Sequence, residues 1–244
     1  MTSPLPVLIL QTGVPDAALK ARHGGYSEQI RRAAGLQPAD AHIVAAHLGE
    51  APQAPARYRA ALITGSPAMV TDREPWSEAA AGWLRAAAAH GLPMFGICYG
   101  HQLLVHALGG EVGYNPAGRE LGTQTVRRLA DDPLLDGLPA QFPAQMLHAQ
   151  TVLRPPAGAT VLARSDQDPH QLLRLAPGIY SSQFHPEFGP PFMRDHLHAN
   201  SPLYAREGLD GAALAETVVE TPLAASLLPR FLAMHAQVQA TQAA

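Results

Sequence analysis

The sequence predicts a doubly wound, mostly parallel α/β sheet with a helical carboxy-terminal extension, and three observations carry that prediction. Short apolar runs alternate with helix-patterned segments from Leu5 to Leu108. Strand-like stretches broken by proline and glycine then fill Glu120 to Phe184, and helical patterning returns from Pro191. The first texture is the βαβ rhythm of a parallel sheet, and the second is that of hairpins. The simplest organisation is one α/β domain over residues 1–190 with a helical extension, 191–244, packed on it.

In chain order, the first half offers Leu5 to Leu10, Tyr26 to Ala34, Ile43 to Ala46, Ala60 to Thr64, Pro75 to His90, Pro93 to Ile97 and Gly100 to Leu108. Between the first two, Asp16 to Gly25 reads as a polar, loop-like stretch. The Pro75 segment is helical because Trp76, Ala80, Trp83, Leu84 and Ala87 recur at spacings of three and four while Glu78, Arg85 and His90 fall off that stripe. Its proline suits a first turn and Gly91 suits the stop. The alanine- and proline-rich Ala51 to Ala56 is a loop. Strands follow at Glu120 to Leu129, Gln145 to Ala149, Thr160 to Ala163, Leu172 to Leu175 and Ile179 to Phe184, with Ala176-Pro177-Gly178 as a turn. The last helix, Ala224 to Ala236, carries Leu227, Leu228, Phe231 and Leu232 on an apolar face.

Composition removes whole classes of function. The 244 residues carry a net charge of −3, and all but one of the 17 basic residues are arginine. The one lysine, Lys20, lies in no Schiff-base or phosphate-loop motif. Scattered arginines make no basic stripe, so no nucleic-acid partner is expected. Met1 to Gln11 lacks the positive start and cleavage site of a secretion signal, and no apolar run reaches membrane-spanning length. A cytoplasmic protein without membrane contact is expected, in which the single cysteine, Cys98, stays reduced. One cysteine also excludes an intramolecular disulfide and an all-cysteine zinc or iron–sulfur site.

Cys98 lies between an apolar strand and a helix in Gly96-Ile97-Cys98-Tyr99-Gly100, the pattern of a nucleophile elbow with cysteine in place of serine. Glycines two positions to either side let strand and helix approach, and the strained turn is expected to point the side chain into solvent. A helix N-terminus favours an anion, so the sulfur is expected to be primed as thiolate. Taken alone, the pattern equally suits a buried structural cysteine.

A second segment shifts that balance. Gln183-Phe184-His185-Pro186-Glu187 closes a strand and supplies a histidine base with a carboxylate to fix its tautomer, the two groups a cysteine nucleophile needs. Attack on a carbonyl also creates an oxyanion. Its donors would be the Tyr99 N–H, next after the nucleophile, and Gly65 or Ser66 from the turn Thr64-Gly65-Ser66-Pro67, at a neighbouring strand end.

These segments, in this order, resemble the class I glutamine amidotransferases, triad enzymes of flavodoxin-like architecture that hydrolyse the side-chain amide of glutamine. Gly-Ile-Cys-Tyr-Gly-His-Gln and Gln-Phe-His-Pro-Glu match the family's two motifs position for position, and the likeness runs from about Ala60 to Phe188. The stretch Gly109 to Val112 through Gly118 to Gly122 is similar to stand-alone members akin to the amidotransferase part of GMP synthase, with plant γ-glutamyl peptidases in the same neighbourhood. The resemblance implies Cys98 as nucleophile, His185 as base, Glu187 as its orienter, and Gly65, Ser66 and Tyr99 as the oxyanion loop. It implies Gln102, His148 and Gln150 at the substrate's amino-acid end. The family's Ser/Trp-His-x-Asp segment reads Leu147-His148-Ala149-Gln150 here, so Gln150 stands where an aspartate is expected. A carboxylate that would pair with substrate ammonium or brace the loop is therefore missing.

The resemblance implies a γ-glutamyl thioester on Cys98 and release of ammonia from glutamine or another γ-glutamyl amide, without a cofactor. With no nucleotide-binding motif in the chain, a separate synthetase subunit would use that ammonia. The alternatives are a free-standing γ-glutamyl amidase and a non-catalytic binding module on the same fold. The 12 histidines contain no His-Glu-x-x-His, and His196 and His198 turn to different helix faces, so no metal site is expected. His42, His47, His106 and His235 read as surface or core-edge residues, and Trp76 and Trp83 as core.

Overall fold

The computed structural model describes residues 5–242, with side chains up to Ala236. Met1 to Pro4, the start of the segment judged above for a secretion signal, lie outside it.

The chain runs β1 (Val7–Gln11), α1 (Ala17–His23), α2 (Tyr26–Ala33), β2 (Ala41–Ala45), β3 (Ala60–Ile63), α3 (Pro75–His90), β4 (Met94–Ile97) and α4 (Tyr99–Ala107). It continues through β5 (Glu111–Tyr114), β6 (Glu120–Arg128), β7 (Gln141–His148), β8 (Gln150–Arg154), β9 (Thr160–Arg164), β10 (Leu172–Ala176) and β11 (Ile179–Ser182). Five helices close it: α5 (Pro190–Ala199), α6 (Ser201–Arg206), α7 (Gly211–Glu216), α8 (Pro222–Ala225) and α9 (Leu227–Gln242).

Among the described residues, nine strands form one mixed sheet in the order β2-β1-β3-β4-β11-β10-β9-β6-β7, and β5 pairs with β8 beside it. Strands β2 through β11 of that order are parallel; beyond them the sheet continues antiparallel, with β10 and β11 joined at the Pro177-Gly178 turn as expected. The period of two along each strand sorts the core onto two faces. Val7, Leu62 and Phe95 join Ile30, Leu227 and Phe231 on one side; Leu8, Ile63 and Met94 join Leu84 and Leu103 on the other. Burial on both faces explains why β1 and β3 read as continuous apolar runs.

One segment departs from expectation. Asp16 to Gly25 is not loop but contains helix α1, whose start is capped by the Asp16 carboxylate accepting from Leu19 N–H at 3.0 Å. Leu19 is its one buried side chain, so the sequence shows no apolar stripe to reveal it. The short ladder of β5 and β8 also went unpredicted, because Glu111 and Tyr114 are exposed and Gly113 interrupts the pattern. No helix among the described residues is long and apolar enough to cross a membrane.

Parallel strands carry their C-terminal ends to one edge of the sheet, where ligands collect in open α/β folds. Gly65 follows β3, Cys98 follows β4 and His185 follows β11, three strands adjacent in the sheet.

Candidate active site

The elbow at Cys98 is built by two close approaches. A Cβ on Gly96 would stand 2.4 Å from the Gly100 carbonyl oxygen, and one on Gly100 would stand 2.6 Å from the Ile63 carbonyl oxygen. Only glycine permits β3, β4 and α4 to meet so tightly. Cys98 itself, the N-cap of α4, adopts φ 51° and ψ −103°, a left-handed backbone that costs a residue with a side chain about 1–3 kcal/mol. Hydrogen bonds hold it there: Cys98 N–H donates to Ser182 O at 2.8 Å, and Gln102 N–H donates to Cys98 O at 3.0 Å.

The sulfur does not project into open solvent as the elbow pattern suggested. Cys98 is buried at the floor of a cleft, with its thiol donating to the Leu147 carbonyl over 3.7 Å. The β7–β8 corner folds over the elbow, and no feature of the elbow sequence announces that cover.

His185 is fixed from three directions. Its backbone N–H donates to Gln145 O at 2.9 Å, its Nδ1 lies 2.8 Å from Glu187 Oε1, and its ring stacks on Phe188 with centroids 4.2 Å apart and planes 10° apart. Nε2 is buried without a partner. Burial opposes the charged imidazole, but the Glu187 carboxylate and Cys98 together outweigh it and raise the His185 pKa to about 10. Gly65 links base and nucleophile, since a Cβ there would lie 3.2 Å from His185 Cε1 and 3.7 Å from Cys98 Cβ.

The expected oxyanion loop sits beside them. The hydroxyls of Thr12 and Thr64 lie 3.0 and 2.8 Å from the Gly65 carbonyl and pin it toward the sheet. In a trans peptide the Ser66 N–H then points the opposite way. The Ser66 hydroxyl is occupied, donating to Thr12 O at 2.7 Å. Tyr99 N–H belongs to the first turn of α4, where no intrahelical acceptor exists.

The three residues expected at the substrate's amino-acid end all line the cleft. Gln102 spends its amide hydrogens inside the protein, on Gln150 O at 2.8 Å and Gln183 Oε1 at 2.9 Å, so it also braces the loop. His148 lies between two buried carboxylates, with Nε2 2.9 Å from Glu120 Oε2 and Nδ1 4.0 Å from Asp168 Oδ2. One donor atom from each of Glu120, His148 and Asp168 lies within 4.8 Å of the other two, and all three residues are buried. Gln150 stands where the resemblance implies an aspartate, while Glu120 and Asp168 flank His148 two residues earlier. Gln150 donates to Thr71 Oγ1 at 2.6 Å, and its Oε1 is buried without a partner.

The cleft, about 810 Å³ including its open mouth, also includes residues not expected at the site: Tyr26, Arg119, Phe188, His196, Asn200 and Tyr204. Burial first, then Cys98 and Glu187, push the Tyr26 phenol upward, so it stays neutral. The different faces expected for His196 and His198 are realised, with His196 on the cleft and His198 exposed.

The family model for glutamine amidotransferase class-I matches residues 23–202. The chain belongs to the class I glutamine amidotransferase family. Family membership makes it an enzyme of the amidohydrolase kind. A GMP synthase [glutamine-hydrolyzing] of Solidesulfovibrio magneticus is 34% identical over 232 residues, 92% of this chain and 41% of that protein. One of Aeropyrum pernix is 47% identical over 97 residues, 40% of this chain and 19% of that protein. The chain thus spans less than half the length of these relatives. In fold it is similar to a glutamine amidotransferase from Thermotoga maritima, with a TM-score of 0.77 at 20% identity over 95% of this chain and 98% of the other. A glutamine amidotransferase from Methylobacillus flagellatus gives 0.71 at 21% identity over 94% of this chain and 95% of the other.

Proposed function

We propose that the protein hydrolyses the side-chain amide of glutamine, or of another γ-glutamyl amide, through a thioester on Cys98. The observation that carries this reading is the convergence of Cys98, His185 and Glu187 around Gly65. The thiol gives its proton to His185 Nε2, and sulfur attacks the γ-carbonyl carbon while the Tyr99 and Ser66 N–H groups receive the oxyanion. The C–N bond breaks, ammonia leaves with the proton from His185, and water attacks the thioester to give glutamate and free the thiol. Glu187 orients the imidazole and balances its charge throughout. Gln102, His148 and Gln150 hold the amino-acid end.

Similarity to glutamine-hydrolysing GMP synthases that extend well beyond this chain supports consumption of the ammonia by a separate synthetase subunit. A larger γ-glutamyl substrate is favoured by one observation, that His196, Asn200, Leu203 and Tyr204 of the α5–α6 segment line the same cleft as Cys98 and His185. Incubation with a γ-electrophilic glutamine analogue, followed by intact and peptide mass spectrometry, tests the shared first step. A one-to-one adduct on Cys98 is expected, with ammonia release from glutamine abolished in Cys98→Ala; turnover surviving that substitution rejects the mechanism.

A further inference from the structure

The general acid has to reach the departing nitrogen, so whatever that nitrogen carries lies on the His185 side of the cleft. Beyond His185 stands His196, whose Nε2 is 2.8 Å from the Tyr204 hydroxyl and whose Nδ1 is buried without a partner. Burial, reinforced by the nearby charges of His185 and Arg119, lowers the His196 pKa to about 4, so the ring is neutral and able to hydrogen-bond a ligand. The Tyr204 ring in turn faces Arg119, whose guanidinium carbon is 5.6 Å from the ring centroid. Arg119 Nε and Nη2 each donate to the Glu207 carboxylate at 2.8 Å, a fork that orients the guanidinium and leaves Nη1 outside it. Beneath, the Gln167 amide donates to the Gly118 and Arg119 carbonyls at 2.9 and 3.0 Å and fixes the turn that presents the arginine.

We infer that this end of the cleft is a subsite for a leaving amine that carries a carboxylate, as in a γ-glutamyl amino acid, with Arg119 as its anchor and His196 and Asn200 along its path. The inference rests on the γ-glutamyl amide reading above. The step balances as before: sulfur bonds to the γ-carbonyl carbon, the C–N bond breaks, the amino acid leaves with the proton from His185, and water releases glutamate.

The test compares kcat/KM for γ-glutamylglycine and γ-glutamylglycinamide, which differ only in the leaving group's charge. The protein should prefer the carboxylate by about ten- to hundredfold, the size of a charge-assisted hydrogen bond. Arg119→Gln should collapse that ratio toward one, and Glu207→Gln, which removes the rival carboxylate, should raise it. A wild-type ratio near one, inert dipeptides beside active glutamine hydrolysis, or a ratio unmoved by Arg119→Gln overturns the subsite. So does an equal loss by Arg119→Gln on both dipeptides and glutamine, which would put Arg119 on the glutamyl carboxylate instead. Failure of the underlying reading looks different: no adduct on Cys98 and no hydrolysis of any of the three.

Discussion

The floor of the cleft, at the Cys98 elbow, and its outer wall, at Arg119 and the α5–α6 segment, are assembled over different ranges of sequence. The floor is a strand, a turn and a helix in direct succession, held by backbone contacts among Gly96, Gly100 and Ile63 that leave no room for one added carbon. The outer wall gathers Arg119, His196, Asn200 and Tyr204 from segments far apart in the chain, and side chains make its contacts. On the proposed reading, backbone packing fixes the geometry of the bond-breaking step at the floor, and side-chain packing sets selectivity at the wall.

The largest expected effect breaks that contrast from the floor. Gly100→Ala drives a Cβ to 2.6 Å from the Ile63 carbonyl oxygen, against backbone that cannot yield without moving β3. A loss of about 3 kcal/mol or more is expected, at the upper end for overpacking. Leu203→Ala, on the partly exposed outer wall, should cost about 0.5 kcal/mol or less. Urea denaturation of both variants measures the difference; equal losses would show that the wall is as rigidly built as the floor.

Within the floor, the triad members should separate. His185→Ala removes the proton carrier and should abolish turnover. Glu187→Gln keeps a hydrogen-bond acceptor at 2.8 Å from Nδ1 but removes charge, and should lose about 10–10⁴-fold in kcat. Complete loss in both, with folding intact, would give Glu187 more than an orienting role.

How much of this was legible follows the same division. Cys98, His185 and Glu187 stand in local motifs, because an elbow and a strand-end dyad are written in consecutive residues. The apolar runs of β1, β3 and β4 were equally plain, since burial on both faces leaves no polar position to confuse the pattern. Helix α1 was hidden because it buries one side chain and depends on the Asp16 cap. The contacts of His148 were hidden because Glu120 and Asp168 arrive from other strands and loops. Tyr26 and Tyr204 gave no signal at all; an aromatic at a helix start or end looks the same whether it faces core or cleft.

A smaller effect concerns pH. The His185 pKa, raised to about 10 in the fold, gives stability that is complete below the unfolded value of about 6.5 and is lost as pH rises through 10. His101 and His196, held neutral by burial with pKa values near 3 and 4, act in the opposite direction and weaken the fold as pH falls below about 6.5. Melting temperatures should therefore pass through a maximum near neutrality. In Glu187→Gln the alkaline decline should flatten, because the carboxylate that raises His185 is gone; an unchanged slope would show that another group supplies it.

The smallest effect tests where the two regions meet, at Gln150. Its amide is tied to Thr71 while Oε1 is buried in the cleft wall with no partner, so a neutral acceptor is on offer where the family resemblance leads one to expect a carboxylate. Bracing of the loop does not depend on this side chain, since Gln102 and His148 both address the Gln150 backbone carbonyl, at 2.8 and 3.0 Å. Gln150→Asp therefore changes the charge offered to substrate ammonium without dismantling the corner. Glutamine KM should fall by about three- to tenfold, the gain in passing from a neutral to a charge-assisted hydrogen bond, with kcat nearly constant because that contact is the same in ground and transition states. Steady-state kinetics with glutamine and with its α-N-acetyl derivative, which has no ammonium, separate charge from shape. A fall confined to glutamine makes Gln150 a specificity position. An equal KM for wild type and variant on both substrates would place the ammonium elsewhere and leave Gln150 a strut for Thr71.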